Sequence, residues 1–212
     1  MPSINHSDNW ESLSLGTITA EECERVGRLN PRPIVLSSTK HHGLVSSDDY
    51  FKNRAVYSDD LSSYKLVHNG WFAYATNHLT EGSIGLQSRY QIGCVSPIYT
   101  VFSCRKTVHP PYLYRLLKSD TTLRHYAIHD QASVDRRGAV RYRDFSKIGV
   151  LVPPISEQRR IAEVFDIFDE RIAAERQYVE KARNVYLGLI DEAVRDSIEQ
   201  ASLAMYNLAD LV

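Results

Sequence analysis

The last of the eight prolines is Pro154, and of the ten glycines only Gly188 lies beyond it. The two residue types that most readily break a helix therefore vanish from the last quarter of the chain almost together. The stretch "VPPISEQRRIAEVFDIFDERI" opens that quarter. From it, apolar residues recur at alternating spacings of four and three: Ile161, Phe165, Phe168, Ile172, then Val179, Ala182, Tyr186, Leu189 and Ala193. This is the period of a coiled-coil seam, with Glu175 and Asp196 falling on the same stripe. The spacing predicts one helix from Glu157 to about Ala204, roughly 70 Å long at 1.5 Å per residue. Ser156 is the expected cap for its free N–H groups, and Glu157 suits the positive end of its dipole. A full capping box is missing, because Arg159 stands where it needs Glu or Gln. Nothing of that length can be covered by the preceding residues alone, so a partner for the far end is expected.

Upstream, short apolar runs alternate with turn residues: "PIVLSS", "YKLV", "WFAYAT", "GSIGLQS" and "YQIGCVSPIYTVFS". They are rich in β-branched and aromatic residues and bounded by Gly, Asn, Ser or Pro, so they are expected to be strands. "PYLYRLLKSDTTLRHYAIH" (111–129) has helical spacing and predicts one or two helices. "VDRRGAVRYRDF" (134–145) is expected as an exposed basic loop or hairpin turning at Gly138. The fold class is thus mixed α/β (α+β) over residues 1–152, followed by a long coiled-coil helix over 153–212.

The formal charge of −1 conceals an asymmetry. Residues 101–150 carry 10 basic and 4 acidic side chains, a net +6, whereas residues 151–212 carry 7 and 12, a net −5. A local basic block is the electrostatic footprint of a polyanion-binding surface. No run of about 18 apolar residues exists, and "MPSINHSDNWESLSLG" lacks the basic and apolar regions of a signal peptide, so neither a membrane nor an export route is expected. Cys23, Cys94 and Cys104 are few, widely spaced and form no C-x-x-C pair. Free thiols in a reducing cytoplasm are expected, and no metal site.

No P-loop, H-E-x-x-H or G-x-S-x-G motif is present. "EGSIG" (81–85) matches a phosphate loop only weakly. "HPPY" (His109–Tyr112) invites comparison with the Pro-Pro-Tyr of adenine amino-methyltransferases, whose preceding Asn or Asp oxygen accepts from the target amine while the ring stacks on the flipped base. His109 stands in place of that oxygen, and no strand with a Gly-rich cofactor loop precedes it. The plainer reading is a helix started by proline. His41 and His42 would point to opposite faces of a strand, which suits a solvated or DNA-facing pair better than a metal site.

With these segments in order, the chain resembles the specificity subunits of type I restriction–modification systems. The resemblance is most specific in "RYRDFSKIGVLVPPISEQRRIAEVFDIFDERI" (141–172), through Phe145, Ile148, Pro153, Pro154, Glu157, Gln158, Ile161, Ala162, Phe168, Asp169 and Ile172. "WESLSLGTI", "YKLVHNGWFAYATN", "GSIG", "GCVSPIYTVF" and "HPPYLYRLLKS" are similar more loosely. Typical members hold two recognition domains and two long helices; this chain has one of each.

The resemblance implies a non-catalytic target recognition domain that enters the DNA grooves. Its helix would dock adenine-methylating subunits, which carry S-adenosylmethionine; this chain itself carries no cofactor. A restriction motor-nuclease subunit would be a further partner, and a second copy of the chain would pair through antiparallel long helices. The DNA-facing candidates are Lys40, His41, His42, Tyr74, Arg89, Arg105, Arg136, Arg137, Arg141 and Arg143, since Arg and Lys hold phosphates and Arg also reads guanine. The partner-facing candidates are Glu157, Gln158, Ile161, Phe165, Phe168, Ile172, Val179, Ala182, Tyr186 and Leu189. Two alternatives stay open: the specificity module of a related methyltransferase–nuclease of the type IIB kind, and a coiled-coil adaptor without DNA contact.

Overall fold

The computed structural model describes residues 9–52, 54, 56–131 and 139–209, with side chains omitted at 129–131 and 202–209. Its contacts divide the chain into two compact units, one running to Ala162 and the other from Glu163.

The first unit opens with β1 (Glu11–Ser14), the single turn α1 (Leu15–Ile18) and β2 (Thr19–Glu22). Next come β3 (Ile34–Thr39), β4 (Gly43–Ser46) and α2 (Ser47–Phe51). β5 (Lys65–His68), β6 (Phe72–Ala75) and β7 (Ile84–Leu86) follow, then β8 (Ile92–Val95) and β9 (Tyr99–Cys104). Each of the five apolar runs expected as strands contains one or two of these. The helical segment resolves into two pieces, α3 (Pro110–Leu117) and α4 (Asp120–Gln131). The unit ends with the turn α5 (Tyr142–Phe145), β10 (Gly149–Val152) and the start of α6 (Ile155–Ala209).

The strands form three sheets: β2-β9-β6-β7, β4-β3-β8-β5 and the pair β1-β10. All pairings are antiparallel except β3 with β8. β1 lies along β10 with Glu11 opposite Val152, so the first described strand closes onto the one that leads into the helix. β6 is buried at every position. Phe72 and Tyr74 enter the main core with Phe102, Tyr126 and Phe145, while Ala73 faces a second cluster with Leu36, Leu44, Val67 and Val101. Phe72 stacks on Phe102 with ring centroids 4.9 Å apart, and Phe145 approaches Phe102 to 5.0 Å. Such aromatic pairs contribute about 0.5–1.5 kcal/mol beyond the area they bury.

Gly85 in "EGSIG" is a packing residue. A Cβ there would lie 2.3 Å from the Leu44 backbone nitrogen, so β7 approaches β4 this closely only without a side chain. The exposed basic loop or hairpin expected over 134–145 is corrected in its described part. Residues 142–145 form α5, because the Phe145 ring is drawn fully into the aromatic core. Residues 132–138, with Arg136, Arg137 and Gly138, lie outside the described residues.

α6 begins one residue before Ser156. The Pro154 carbonyl accepts from the N–H groups of Glu157 and Gln158, so Ser156 lies inside the first turn and is not the cap. The first compact unit also ends ten residues later than the expected boundary at 152, because Gln158 and Ala162 are buried in it. Every described side chain from Glu163 on is exposed.

Cys94 is buried and Cys104 half-buried. Burial pushes both Cys94 and Cys104 up to about 12, while Cys23 is exposed. Thiolate is the reacting form, so a disulfide reagent at pH 8 should modify the exposed Cys23 first and the other two far more slowly. Prompt release of more than one equivalent of chromophore would contradict this burial.

Candidate nucleic-acid interface

The β3–β4 connection is a tight turn. Lys40, His41 and His42 are all exposed on it, and Gly43 at φ +64° closes it. His41 and His42 therefore lie on a turn and not on a strand, so the opposite-face expectation does not apply to them. The turn is held from inside: the Thr39 hydroxyl accepts from the His42 N–H at 2.9 Å and donates to the Gly43 carbonyl at 3.2 Å. It is also held from outside by α3 and the residue after it. The Lys118 ammonium donates to the Lys40 carbonyl at 2.6 Å and sits 5.5 Å from the Tyr114 ring centroid. The Tyr114 hydroxyl packs against Gly43, where a Cβ would come within 2.9 Å of it. Burial draws the Lys118 ammonium below the usual lysine range.

A second turn presents Arg89. The buried Gln87 carboxamide oxygen accepts from the N–H groups of Arg89 at 3.2 Å and of Tyr90 at 3.3 Å. Arg89 is exposed and shares with His42 an open depression of about 280 Å³ lined also by Val45, Ser46, Asp49 and Tyr50. Tyr50 and Asp49 come from α2, whose start is capped by the Ser46 hydroxyl accepting from the Asp49 N–H. The "SSDDYF" run carries that capping signal openly, yet nothing in it marks Tyr50 as a neighbour of Arg89.

The remaining candidates within the described residues do not join this cluster. Arg105 is exposed just past β9, at the end opposite Tyr99, and its N–H donates to the Ile18 carbonyl. The Tyr99 hydroxyl instead accepts from the Ser38 N–H, beside the β3–β4 turn. Arg141 precedes α5, where its carbonyl accepts from Asp144 and Phe145. Arg143 is exposed, with its Nε 3.7 Å from Asp144, a surface pairing of small energetic weight. Tyr74 is corrected: it is wholly buried beside Phe102 and Phe145, and no face of its ring reaches solvent.

On α6 the partner-facing candidates separate. Gln158 is corrected: it is 1% exposed, and its amide is used inside the first unit. Its oxygen accepts from the His109 N–H at 2.8 Å, and its nitrogen donates to the carbonyls of Pro153 at 2.8 Å and Thr107 at 3.2 Å. Glu157 and Ile161 are half-buried, Ile161 against the main core. Phe165, Phe168, Ile172, Val179, Ala182, Tyr186 and Leu189 are all exposed. Phe168, Ile172, Glu175 and Val179 line one shallow groove of the helix, and Ile190, Ala193, Ser197 and Ala201 lie along another.

"HPPY" proves to be a helix start. Pro110 occupies the first turn of α3, and Tyr112 is buried with its hydroxyl donating to the Leu151 carbonyl, so the ring is closed to a flipped base. Among the described residues, no group of three or more His, Cys, Asp or Glu is placed to hold a metal ion, and no helix is long and apolar enough to cross a membrane.

No protein-family model and no curated protein matches the sequence. Solved structures do. A chain from a structure of the type I restriction–modification system, described for its complex assembly and conformational transition, covers 82% of this chain at TM-score 0.52 and 15% identity. The HsdS subunit from Thermoanaerobacter tengcongensis follows at 0.49 and 15%, and the type I S subunit from M. genitalium at 0.48 and 12%, each over 82% of this chain. The match spans 41%, 40% and 42% of those chains, so this chain corresponds to about two fifths of each. A mixed α/β unit leading into a long helix, as in that type I restriction–modification assembly, is the fold of this chain.

Proposed function

We propose that this chain is a DNA-reading specificity subunit that directs adenine-methylating and restriction subunits to a bipartite target and performs no chemistry itself. The observation that carries this reading is the fold it shares, over 82% of its length, with a chain of a type I restriction–modification assembly. The exposed basic turns around Lys40 and Arg89 fit a groove-facing surface. S-adenosylmethionine belongs to the methyltransferase partner in this scheme, and the cytoplasm is its setting. Half the recognition apparatus of a two-domain subunit is enough if two copies pair through antiparallel α6 helices. A two-fold pair of identical readers must see inverted copies of one half-site, so the target would be a palindrome with an unread spacer.

Duplex binding by the full chain should weaken steeply with salt. Replacing Arg136 and Arg137 together with Ala should flatten the log–log slope by up to about one unit per lost phosphate contact. An unchanged slope would remove those two residues from the interface. A chain that retains no duplex even at low salt would leave the adaptor reading in its place.

A further inference from the structure

The depression shared by His42, Asp49, Tyr50 and Arg89 has a charge pattern that a phosphate site would not have. A carboxylate lines it together with a guanidinium, and a carboxylate has no donor to offer a phosphate oxygen. The same pairing suits the edge of a base pair. In the major groove, guanine offers the O6 and N7 acceptors that Arg engages bidentately, and cytosine offers an N4 amino group that a carboxylate accepts. Tyr50, 49% exposed, adds an apolar wall with a hydroxyl at its tip.

The two turns that supply the basic groups are fixed independently. Lys118 and Tyr114 hold the turn of His42, and the buried Gln87 holds the turn of Arg89. Contact with phosphates tolerates mobile side chains, whereas base reading needs donors and acceptors held in place before DNA arrives. From the charge pairing and the two clamped turns we infer that this depression is a base-reading site for one G·C pair. Arg89 takes guanine, Asp49 takes cytosine, and Gln87, which holds the turn of Arg89, acts as a positioning residue. The inference rests on the DNA-reading function proposed above.

The test is selection of duplexes from a pool with a random core, using the full chain as wild type, Arg89→Ala and Asp49→Asn. Both positions are exposed, and unchanged circular dichroism would verify that the variants fold. The wild type should enrich a motif containing a G·C pair at which each variant loses at least about fivefold of the preference. Affinity of Asp49→Asn for duplexes lacking the motif should stay within about twofold, because the carboxylate makes no phosphate contact. An identical motif in wild type and both variants would overturn the inference. So would a uniform rise in affinity for all duplexes in Asp49→Asn with the motif intact, which would make the carboxylate only a repeller of phosphate. Binding without any enriched motif would also overturn it while leaving DNA binding in place. Failure of the wild type to retain any duplex would overturn the proposed function itself, a different result from the others.

Discussion

Gln158→Leu should destabilise the first unit by about 3 kcal/mol, because it strands buried and half-buried backbone groups that the amide now pairs. The side chain is close to leucine in size, so little cavity is created. What is lost is the acceptor for the His109 N–H and the donor to the Pro153 and Thr107 carbonyls. Those three partners come from the connection between β9 and α3 and from Pro153 just past β10, so one amide ties two segments to the first turns of α6. Against a typical total stability of about 5–15 kcal/mol this is a large fraction, and the unfolding midpoint should fall by roughly 10 °C. Gln158→Glu should be at least as damaging, since a carboxylate would face two carbonyl oxygens. Arg159→Ala, at an exposed neighbour, should shift stability by less than about 0.5 kcal/mol. Denaturant unfolding followed by circular dichroism measures all three. A loss below about 1 kcal/mol for Gln158→Leu would mean that the burial of Ile161 and Ala162 holds the helix start without help from the amide.

The second large effect concerns the exposed stripe of α6. Ile172→Asp combined with Val179→Asp should abolish self-association at micromolar concentration, because a two-fold dimer carries each substitution twice and four side chains that each contribute about 2 kcal/mol on burial become charged. The wild-type chain should give a dimer mass by light scattering at micromolar concentration, and the double variant a monomer. The wild type and the double variant should show the same unfolding of the first unit, since every described side chain from Glu163 on is exposed and none belongs to its core. A monomeric wild type at that concentration would remove the antiparallel homodimer. The stripe would then remain for the methyltransferase subunit, and co-purification with the partner would have to drop in the double variant.

How much of this was readable beforehand differs between the helix, the strands and the site. The helix was written in local terms. A proline-free run with apolar residues at helical spacing needs no distant contact to declare itself, and α6 runs as one element from Ile155 to Ala209. The strands were legible as well, because β-branched and aromatic runs bounded by turn residues carry their own signal. The faces of those strands were not. β6 reads "FAYA", without a polar residue to show which side meets water. Both of its faces are covered, so Tyr74, taken for a DNA-facing ring, lies in the core.

Pairing order is likewise absent from local pattern. That β2 joins β9, or that β1 lies along β10, is decided by which apolar faces can be buried together across 80 or more residues of sequence. Gln158 shows the same limit in one side chain. From sequence it is a polar residue in the first turn of a helix, and a surface role is the natural expectation. Only the folding back of residues 107–109 and 153 around it turns it inward and supplies its three hydrogen bonds. The basic block, the thiols and the long helix thus followed from composition and period, which are properties of neighbours in the chain. The meeting of His42 with Arg89, and the clamping of the His42 turn by Lys118, came only with the tertiary fold, because those contacts join residues far apart in sequence.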